Sequence, residues 1–213
     1  LRVDTECNGR HAKVHFTSSW EEDASRRDFT INAMFMDQNG KIYDYFEGQQ
    51  DLEGHDDRRL LLKFVGEASD RIQEDYLRIL RYYRFMSRFN ARSDPKAIEA
   101  IIKHKDGLRQ ISQERITSEL LKILKAPSVD RTVRTMDHHG ILKIILPEGR
   151  VYDHTPLDSQ VNELFNLSAI LFGCTNIKNV VKRLKLSNED RKVVILLSTP
   201  LPSKDTTSDV LDI

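Results

Sequence analysis

Four charged side chains stand at helical spacing in a stretch that otherwise has the pattern of a helix core. The stretch is EDYLRILRYYRF, residues 74–85, and the four are Asp75, Arg78, Arg81 and Arg84. An ionised aspartate only accepts hydrogen bonds, and an arginine only donates them. Acceptors and donors in this arrangement can bind a ligand that has a hydrogen-bonding edge of its own.

A nucleobase has such an edge. Cytosine and adenine each present an amino donor beside a ring-nitrogen acceptor, whereas guanine and uracil present a carbonyl acceptor beside an N–H donor. Asp75 and Arg78, one helical turn apart, would match cytosine and adenine. With guanine or uracil, the aspartate acceptor would face a carbonyl acceptor and the arginine donor would face an N–H donor. A mismatch leaves polar groups unpaired in a partly dry site, which costs about 1–3 kcal/mol for each group.

The other arginines suit the phosphates of a nucleotide. Arg81 and Arg84 could meet a triphosphate, because planar guanidinium groups match phosphate oxygens. A second stretch, ASRRDFTINAM at residues 24–34, places Arg27 and Asp28 directly before an apolar run. There Arg27 could hold phosphate, and Asp28 could accept a hydrogen bond from a ribose hydroxyl.

A solvated helix face is the alternative interpretation of the charged stretch. Glu74 and Arg78 have the spacing of a surface ion pair, which stabilises a helix by about 0.2–0.5 kcal/mol. However, a wheel drawn for one helix over residues 71–86 puts Tyr82 and Phe85 on the charged face, which is unusual for a solvated surface. The same wheel puts Arg84 near the edge of the apolar face. The stretch alone leaves both interpretations open.

The elements that position these residues change in character along the chain. Residues 1–47 favour antiparallel strands, with one short helix between two hairpins whose turns are Asn-Gly pairs at residues 8–9 and 39–40. After Gly66, helical segments follow one another to about residue 198. Residues that mark predicted helix ends are Asp94-Pro95, Ser112 and Ser187 as N-caps and Gly140 as a stop. The sequence therefore predicts an α+β fold.

Composition limits the classes of function. The 213 residues contain 33 basic and 33 acidic side chains, so net charge gives no argument for nucleic-acid binding. Two cysteines, Cys7 and Cys174, are too few for a disulfide framework, which favours a reducing compartment. No apolar run approaches the roughly 18 residues of a membrane span, so we expect no membrane partner.

Five motifs in order carry a resemblance to a known family. RRDFTINAM (residues 26–34) is similar to a ribose-recognising motif, and YDYFEGQQDL (residues 43–52) to the segment that closes a head domain. EDYLRILRYYRF is similar to a nucleotide-selecting helix, and ISQERITSEL (residues 111–120) to the neck motif that follows it. RLKLSNEDRK (residues 183–192) resembles a body segment. The chain thus resembles the class II tRNA nucleotidyltransferases, or CCA-adding enzymes, and the bacterial poly(A) polymerases that share their head.

The resemblance implies a domain organisation. Residues 1–65 would form the C-terminal portion of a nucleotidyltransferase head, with antiparallel strands and a short helix. Residues 66–148 would form an all-α neck that selects nucleotides and binds RNA. Residues 149–213 would begin a helical body that ends in a frayed tail.

The resemblance also implies an activity, which is the addition of C and A to the 3′ end of tRNA from CTP and ATP. Arg27 and Asp28 would contact the sugar and phosphates of the incoming nucleotide. Asp75 and Arg78 would be the protein template for C and then A. Arg81 and Arg84 would complete the nucleotide pocket.

The metal-binding motif of the family, Asp-x-Asp, is not found in this sequence. Two-metal catalysis needs such carboxylates to activate the primer hydroxyl and stabilise the leaving pyrophosphate. Asp4 and Glu6 have a related spacing, but carboxylates isolated on a strand are usually solvated. We therefore expect a fragment or half of a split enzyme that is inactive alone, with Mg²⁺ held by residues outside this chain. A separate N-terminal segment of the same enzyme would then be a partner.

Several alternatives stay open. An RNA 3′ polyadenylating enzyme of the same family would use ATP alone, and a non-catalytic RNA- or nucleotide-binding remnant would need no metal. His138, His139 and His154 lack the spacing expected for zinc. The basic stretch NIKNVVKRLK, residues 176–185, could follow an RNA backbone or be an amphipathic helix with a solvated side. We expect a cytoplasmic location, or a mitochondrial one in a eukaryote.

Overall fold

A computed structural model describes residues 19–54 and 59–200, together with the backbone of residues 2–8 and 11–16. The predicted turn at Gly9, the side chains of Asp4 and Glu6, and the predicted frayed tail from residue 201 lie outside the described residues. Helices predominate, and the strands form small, separate sheets. The α+β fold predicted from the sequence is confirmed.

Within the described residues, the strands pair in three small sheets. Strands β1 (Arg2–Asn8) and β2 (His11–Phe16) are antiparallel, as are β3 (Met34–Met36) and β4 (Ile42–Asp44). The predicted turn between β3 and β4 contains Gly40, whose φ of +81° suits glycine. Strands β5 (Leu61–Leu62) and β6 (Arg92–Ser93) form a short parallel pair between two segments that are separated by about 30 mostly helical residues in the sequence.

The described helices alternate with the strands as far as β6 and then follow one another, joined mostly by short loops. Two are in the first quarter of the chain: α1 (Trp20–Ser25) and α2 (Gly48–Glu53). The remainder are α3 (Ala68–Glu74), α4 (Leu77–Phe89), α5 (Pro95–His104), α6 (Gln113–Leu124), α7 (Val129–His138), α8 (Ile141–Ile145), α9 (Glu163–Ile170), α10 (Ile177–Arg183) and α11 (Asn188–Ser198). None of the described helices is long and apolar enough to cross a membrane.

Most of the predicted helix ends are confirmed. Asp94 accepts a hydrogen bond from Ala97 N at 3.1 Å, and Pro95 follows it as the first helical residue. Ser187 accepts from Asp190 N at 3.1 Å, which caps α11. Gly140 follows α7 with a φ of +73°. Ser112 precedes α6 as predicted, but its side chain makes no capping hydrogen bond.

The prediction of one helix over residues 71–86 is wrong. Helix α3 ends at Glu74, Asp75 has extended backbone angles, and α4 begins at Leu77. Asp75 stabilises the new start, because its side chain accepts from Leu77 N at 3.1 Å and its carbonyl from Arg78 N at 3.0 Å. The helical wheel gave the wrong result because a carboxylate can hydrogen-bond to a nearby backbone N–H, and this bond favours a new helix start over continuation of the helix.

Helix α4 lies at the centre of the main hydrophobic core, where several of its residues are fully buried: Ile79, Leu80, Tyr82 and Tyr83. Phe29, which comes before β3, packs its ring 5.9 Å from Tyr82 and 5.0 Å from Phe85. The charged face of α4 contacts the segment around Phe29, and this contact explains the two aromatic residues on that face, Tyr82 and Phe85. This side of α4 is an interior contact and not a solvated surface.

Tyr82 joins three parts of the chain through its hydroxyl. It donates to the carbonyl of Leu62 in β5 at 3.1 Å and accepts from Asp94 N at 3.1 Å. Because a buried polar group without a partner is costly, these two hydrogen bonds fix α4 against β5 and the start of α5.

Replacing Tyr82 with Phe should lower the free energy of unfolding by about 1–3 kcal/mol, because it leaves the N–H of Asp94 without its acceptor. Urea denaturation at neutral pH measures this loss. Tyr152→Phe is the matched control, since Tyr152 is 56% exposed. Equal losses in the two variants would contradict the assigned role of Tyr82.

A second buried tyrosine pairs with a histidine on the other side of α4. The hydroxyl of Tyr83 lies 2.7 Å from His139 Nδ1, and Lys105 Nζ donates to the carbonyl of His139 at 2.9 Å. Burial, together with nearby His138 and Lys105, holds the pKa of His139 below its ordinary value of 6.5. Burial raises the pKa of Tyr83, so the phenol remains protonated and the neutral imidazole is its favoured partner.

This depressed pKa gives a pH dependence of stability with a defined sign. A histidine whose folded pKa lies below its unfolded pKa stabilises the fold above the unfolded value, and this stability is lost as pH falls through the folded pKa. Lowering the pH from about 7.5 to about 5.5 should therefore reduce the urea midpoint of the parent chain more than that of His139→Gln. Replacing exposed His154 with Gln is the control and should leave the parent slope unchanged. Parallel slopes for the parent and His139→Gln would refute the assignment.

Candidate functional site

The segment with Arg27 and Asp28 is fixed by its backbone. Helix α1 ends at Ser25, and the following residues lie along the chain that leaves β5. Thr30 N donates to the carbonyl of Lys63 at 3.1 Å, and Val65 N donates to the carbonyl of Asp28 at 3.0 Å. Residues 28–30 are therefore held in place before any side chain of the site is considered.

The side chain of Asp28 is buried, with 6% of the residue exposed, and it has three hydrogen-bond donors. Oδ1 accepts from Asn32 Nδ2 at 2.7 Å and from Phe29 N at 3.2 Å. Oδ2 accepts from Arg81 Nε at 2.5 Å, and this ion pair joins the segment to α4. A carboxylate has about four lone-pair sites, so one remains for a ligand.

Arg27 is half-exposed and is oriented by its own segment. Its Nη2 donates to Asp23 Oδ2 at 2.9 Å, and its Nη1 donates to the carbonyl of Asn32 at 2.9 Å. The guanidinium also lies over the ring of Phe35, 4.8 Å from its centroid. These contacts fix the plane of the guanidinium while leaving part of it accessible to an anion.

Arg78 connects the break between α3 and α4 to the end of α1. Its Nη1 donates to Glu74 Oε2 and to the carbonyl of Arg71, and its Nη2 donates to the carbonyl of Arg26 at 3.1 Å. Arg71 does the same from α3, donating to the carbonyl of Ser25 at 2.8 Å. The last carbonyls of a helix have no partner within the helix, so two arginines satisfy them here.

The side chains of Asp75 and Arg78 form no hydrogen bond or ion pair with each other. The Oδ2 atom of Asp75 accepts instead from Arg115 of α6, at 2.7 Å. The two predicted template residues are therefore oriented separately, one by α6 and the other by the end of α1. They remain adjacent at the start of α4, which is where the structure places the proposed base-reading groups.

Arg84 contacts a different element from Arg81, because its partner is on α6. Its Nε is 3.2 Å from Glu119 Oε2 of α6, although the N–H is not aligned for a hydrogen bond. Glu119 is buried and also pairs with Lys122. The position of Arg84 near the buried edge of the helix, as the wheel gave it, agrees with this contact between α4 and α6.

Three residues that contact the predicted site residues were not singled out from the sequence. Asn32 donates to Asp28, Arg71 binds the end of α1, and Arg115 binds Asp75. Asn32 lies within the motif RRDFTINAM and Arg115 within ISQERITSEL, so the motifs indicated the segments from which these two residues come. Their partners are 4 and 40 residues away, and only the folded chain shows which contact forms.

The remaining sequence candidates take structural positions. The rings of His138 and His139 lie 5.6 Å apart on α7 and its cap, and His154 stacks on Tyr152. Helix α10, in the basic stretch, buries its apolar side, and its Arg183 donates to Glu148 Oε2 at 2.5 Å. The contacts of α10 favour the amphipathic-helix interpretation of that stretch.

The described residues do not form a metal site. Within residues 19–54 and 59–200, no group of three or more His, Cys, Asp or Glu side chains could hold a metal ion. Asp28 and Asp75, the two carboxylates that the sequence predicted to meet the nucleotide, are both bound to arginines.

Two family profiles match separate parts of the chain. The profile described as the poly A polymerase head domain matches residues 1–56. The profile described as "Probable RNA and SrmB-binding site of polymerase A" matches residues 93–152. The two matches have the order that the motifs predicted.

Named relatives agree with these profiles. The zebrafish (Danio rerio) mitochondrial CCA tRNA nucleotidyltransferase 1 is 38% identical over 92% of this chain and 47% of its own length. The Bacillus subtilis CCA-adding enzyme is 42% identical over 60% of this chain and 31% of its own length. The chain thus spans about half the length, or less, of the curated relatives that it matches.

A solved structure has the same fold and a similar sequence. The CCA-adding enzyme of Bacillus stearothermophilus, solved in complex with CTP, superimposes with a TM-score of 0.73 at 29% identity. The superposition covers 87% of this chain and 48% of that one. The resemblance found in the motifs is confirmed, and the chain belongs to the class II family of CCA-adding enzymes and poly(A) polymerases.

Proposed function

We propose that this chain carries the nucleotide-selecting part of a tRNA nucleotidyltransferase, which adds C and A to the 3′ end of tRNA from CTP and ATP. The observation that carries the proposal is the ion pair between Asp28 and Arg81, at 2.5 Å. It joins the two stretches that were assigned to one nucleotide from sequence alone. The similarity to the Bacillus stearothermophilus enzyme in complex with CTP supports this assignment.

Asp28 and Arg27 suit the sugar and the phosphates. The remaining lone pair of Asp28 can accept from a ribose hydroxyl, and its orientation is fixed by Asn32 and Arg81. Arg27 uses three of its five N–H groups on described partners, so two remain for phosphate oxygens. Both groups are oriented before the ligand binds, which reduces the entropy cost of binding.

Asp75 and Arg78 suit the base. Each oxygen of Asp75 accepts one hydrogen bond, from Leu77 N or from Arg115, and each retains a lone pair for an amino group. Among its contacts with described residues, Arg78 leaves its Nε–H and one Nη2–H unused, and these can donate to a ring nitrogen. The pair thus presents an acceptor beside a donor, which matches cytosine and adenine.

Arg81 and Arg84 suit the triphosphate. Arg81 gives only its Nε–H to Asp28 among the described residues, which leaves both terminal nitrogens for phosphate oxygens. Arg84 is one turn further along α4 and adds positive charge beyond it. In this assignment, residues 1–65, 66–148 and 149–213 are the head portion, neck and start of the body. When bound, Mg²⁺ would neutralise the leaving pyrophosphate, and its ligands lie outside the described residues.

The location and the macromolecular partner follow from the same proposal. The substrate is the 3′ end of tRNA, and the RNA-binding profile matches residues 93–152, which include the larger part of the neck. We place the protein in the cytoplasm, or in mitochondria as the name of the zebrafish relative states for that protein.

Binding of nucleotides to the 213-residue chain tests base selection without a need for catalysis. Calorimetry should show that CTP and ATP bind more tightly than UTP and GTP. Asp75→Asn keeps an oxygen to cap α4 but presents an amino donor, so it should improve UTP binding relative to CTP. Arg78→Gln should weaken CTP binding about ten- to hundredfold, because about 1.5–3 kcal/mol is lost with a charge-assisted hydrogen bond.

Asp106 and Arg109 offer a matched control, because they form an exposed carboxylate–arginine pair with the same three-residue spacing. Asp106→Asn and Arg109→Gln should leave the ratio of CTP to UTP affinities unchanged. A parental ratio in Asp75→Asn and Arg78→Gln would refute the proposed template. Binding of ATP without CTP would identify the polyadenylating function instead.

A further inference from the structure

Helix α4 carries a fourth arginine that the proposed nucleotide pocket does not use. At about 100° per residue, Arg81, Arg84 and Arg88 lie within about 60° of one another on the helix. Arg81 has Asp28 as its partner and Arg84 has Glu119. Within the described part of the chain, Arg88 has no carboxylate partner, and its guanidinium lies 5.6 Å from the ring centroid of Phe89.

Arg88 lines a small open pocket between the ends of α4 and α6. The pocket has a volume of about 300 Å³. Its lining is mostly cationic and comprises Arg84, Arg88, Lys122, Lys125, Ala126 and Pro127. A volume of this size admits a phosphate group together with part of its hydration shell.

The positive charge of the pocket is only partly neutralised. Buried Glu119 pairs with Arg84 and lies 3.0 Å from Lys122 Nζ. Lys125 Nζ is 4.0 Å from Glu163, at the limit of an ion pair, and Lys125 is largely exposed. Four cations thus face two carboxylates. The C-termini of the two helices account for some of the excess, since cations there gain about 0.3–1 kcal/mol each.

The pocket also lies on the same helix as the proposed base-reading groups, at a distance that suits a bound strand. Arg88 follows Arg78 by ten residues, or about 15 Å along α4 at about 1.5 Å per residue. A strand whose 3′ end lies beside Arg78 would have the phosphate of a nearby nucleotide at this distance. Positive grooves that follow a backbone are typical of proteins that bind single strands.

We propose that Arg88, Lys122 and Lys125 form a binding site for the phosphate backbone of the RNA strand whose 3′ end is extended. This inference rests on the proposed function for the identity of the strand. The polar side chains of the site are all cations, which suit phosphate oxygens, and the side chains of Ala126 and Pro127 offer no hydrogen bond to a base. It would hold the strand in position while the base-reading groups at the start of α4 select the nucleotide.

The test is the affinity of the 213-residue chain for a labelled tRNA that lacks its terminal CCA, measured by fluorescence anisotropy at several salt concentrations. The triple variant Arg88→Gln, Lys122→Gln, Lys125→Gln should bind about 10- to 50-fold more weakly at about 0.1 M salt. The slope of log affinity against log salt should fall by about 1.5–2, because about two phosphate contacts are lost. The affinity for CTP, measured separately, should stay at the parental value.

Two further variants separate this site from general charge and from misfolding. The control triple Lys96→Gln, Lys103→Gln, Lys143→Gln removes the same charge from exposed lysines elsewhere and should change tRNA affinity less than about threefold. The charge-conserving triple Arg88→Lys, Lys122→Arg, Lys125→Arg should retain most of the parental affinity. Thermal melting should show that each variant is folded.

Several outcomes would overturn the inference. They are a parent chain that does not bind the tRNA, a pocket triple with the parental affinity and salt slope, and a control triple that loses as much affinity as the pocket triple. The proposed function fails separately. A parent chain that binds tRNA but neither CTP nor ATP would remove the nucleotide assignment, while loss of tRNA binding in the pocket triple would still support the phosphate site.

Discussion

The buried carboxylate of Asp28 is the constraint on which the site depends. An ionised carboxylate that is almost inaccessible to water is costly unless it is paired and hydrogen-bonded. Asn32 and the backbone of Phe29 supply two donors locally, but the charge itself is neutralised by Arg81 of α4. The segment that precedes β3 therefore cannot move away from α4 without leaving a charge buried and unpaired.

Arginines of α3 and α4 add further contacts between the first part of the chain and these helices. Arg71 and Arg78 donate to the last carbonyls of α1, which no intrahelical N–H can reach. The aromatic contacts of Phe29 with Tyr82 and Phe85 pack against the same junction. Side chains assigned to nucleotide binding thus also hold the first part of the chain to its helical part, and binding a ligand between them depends on that docking.

The sequence predicted the element types well and the contacts poorly. Caps such as Asp94 and Ser187 were predictable because they bond within three residues, and the motifs gave the family before any geometry was known. The break at Asp75 was missed because helical periodicity continues across it, while the capping bond to Leu77 depends on a local choice of backbone angles. Arg115 was missed because its partner is 40 residues away and only packing of α6 on α4 brings it close.

The most direct test of the account is a double-mutant cycle on Asp28 and Arg81, with the CTP affinity of the 213-residue chain as the measured quantity. If the ion pair builds one site from two segments, Asp28→Asn and Arg81→Gln should each weaken CTP binding, and the double variant should be little weaker than the worse single variant. The coupling free energy should then exceed about 1.5 kcal/mol. Additive losses, or single variants that bind CTP as the parent does, would show that the two segments do not form a common nucleotide site.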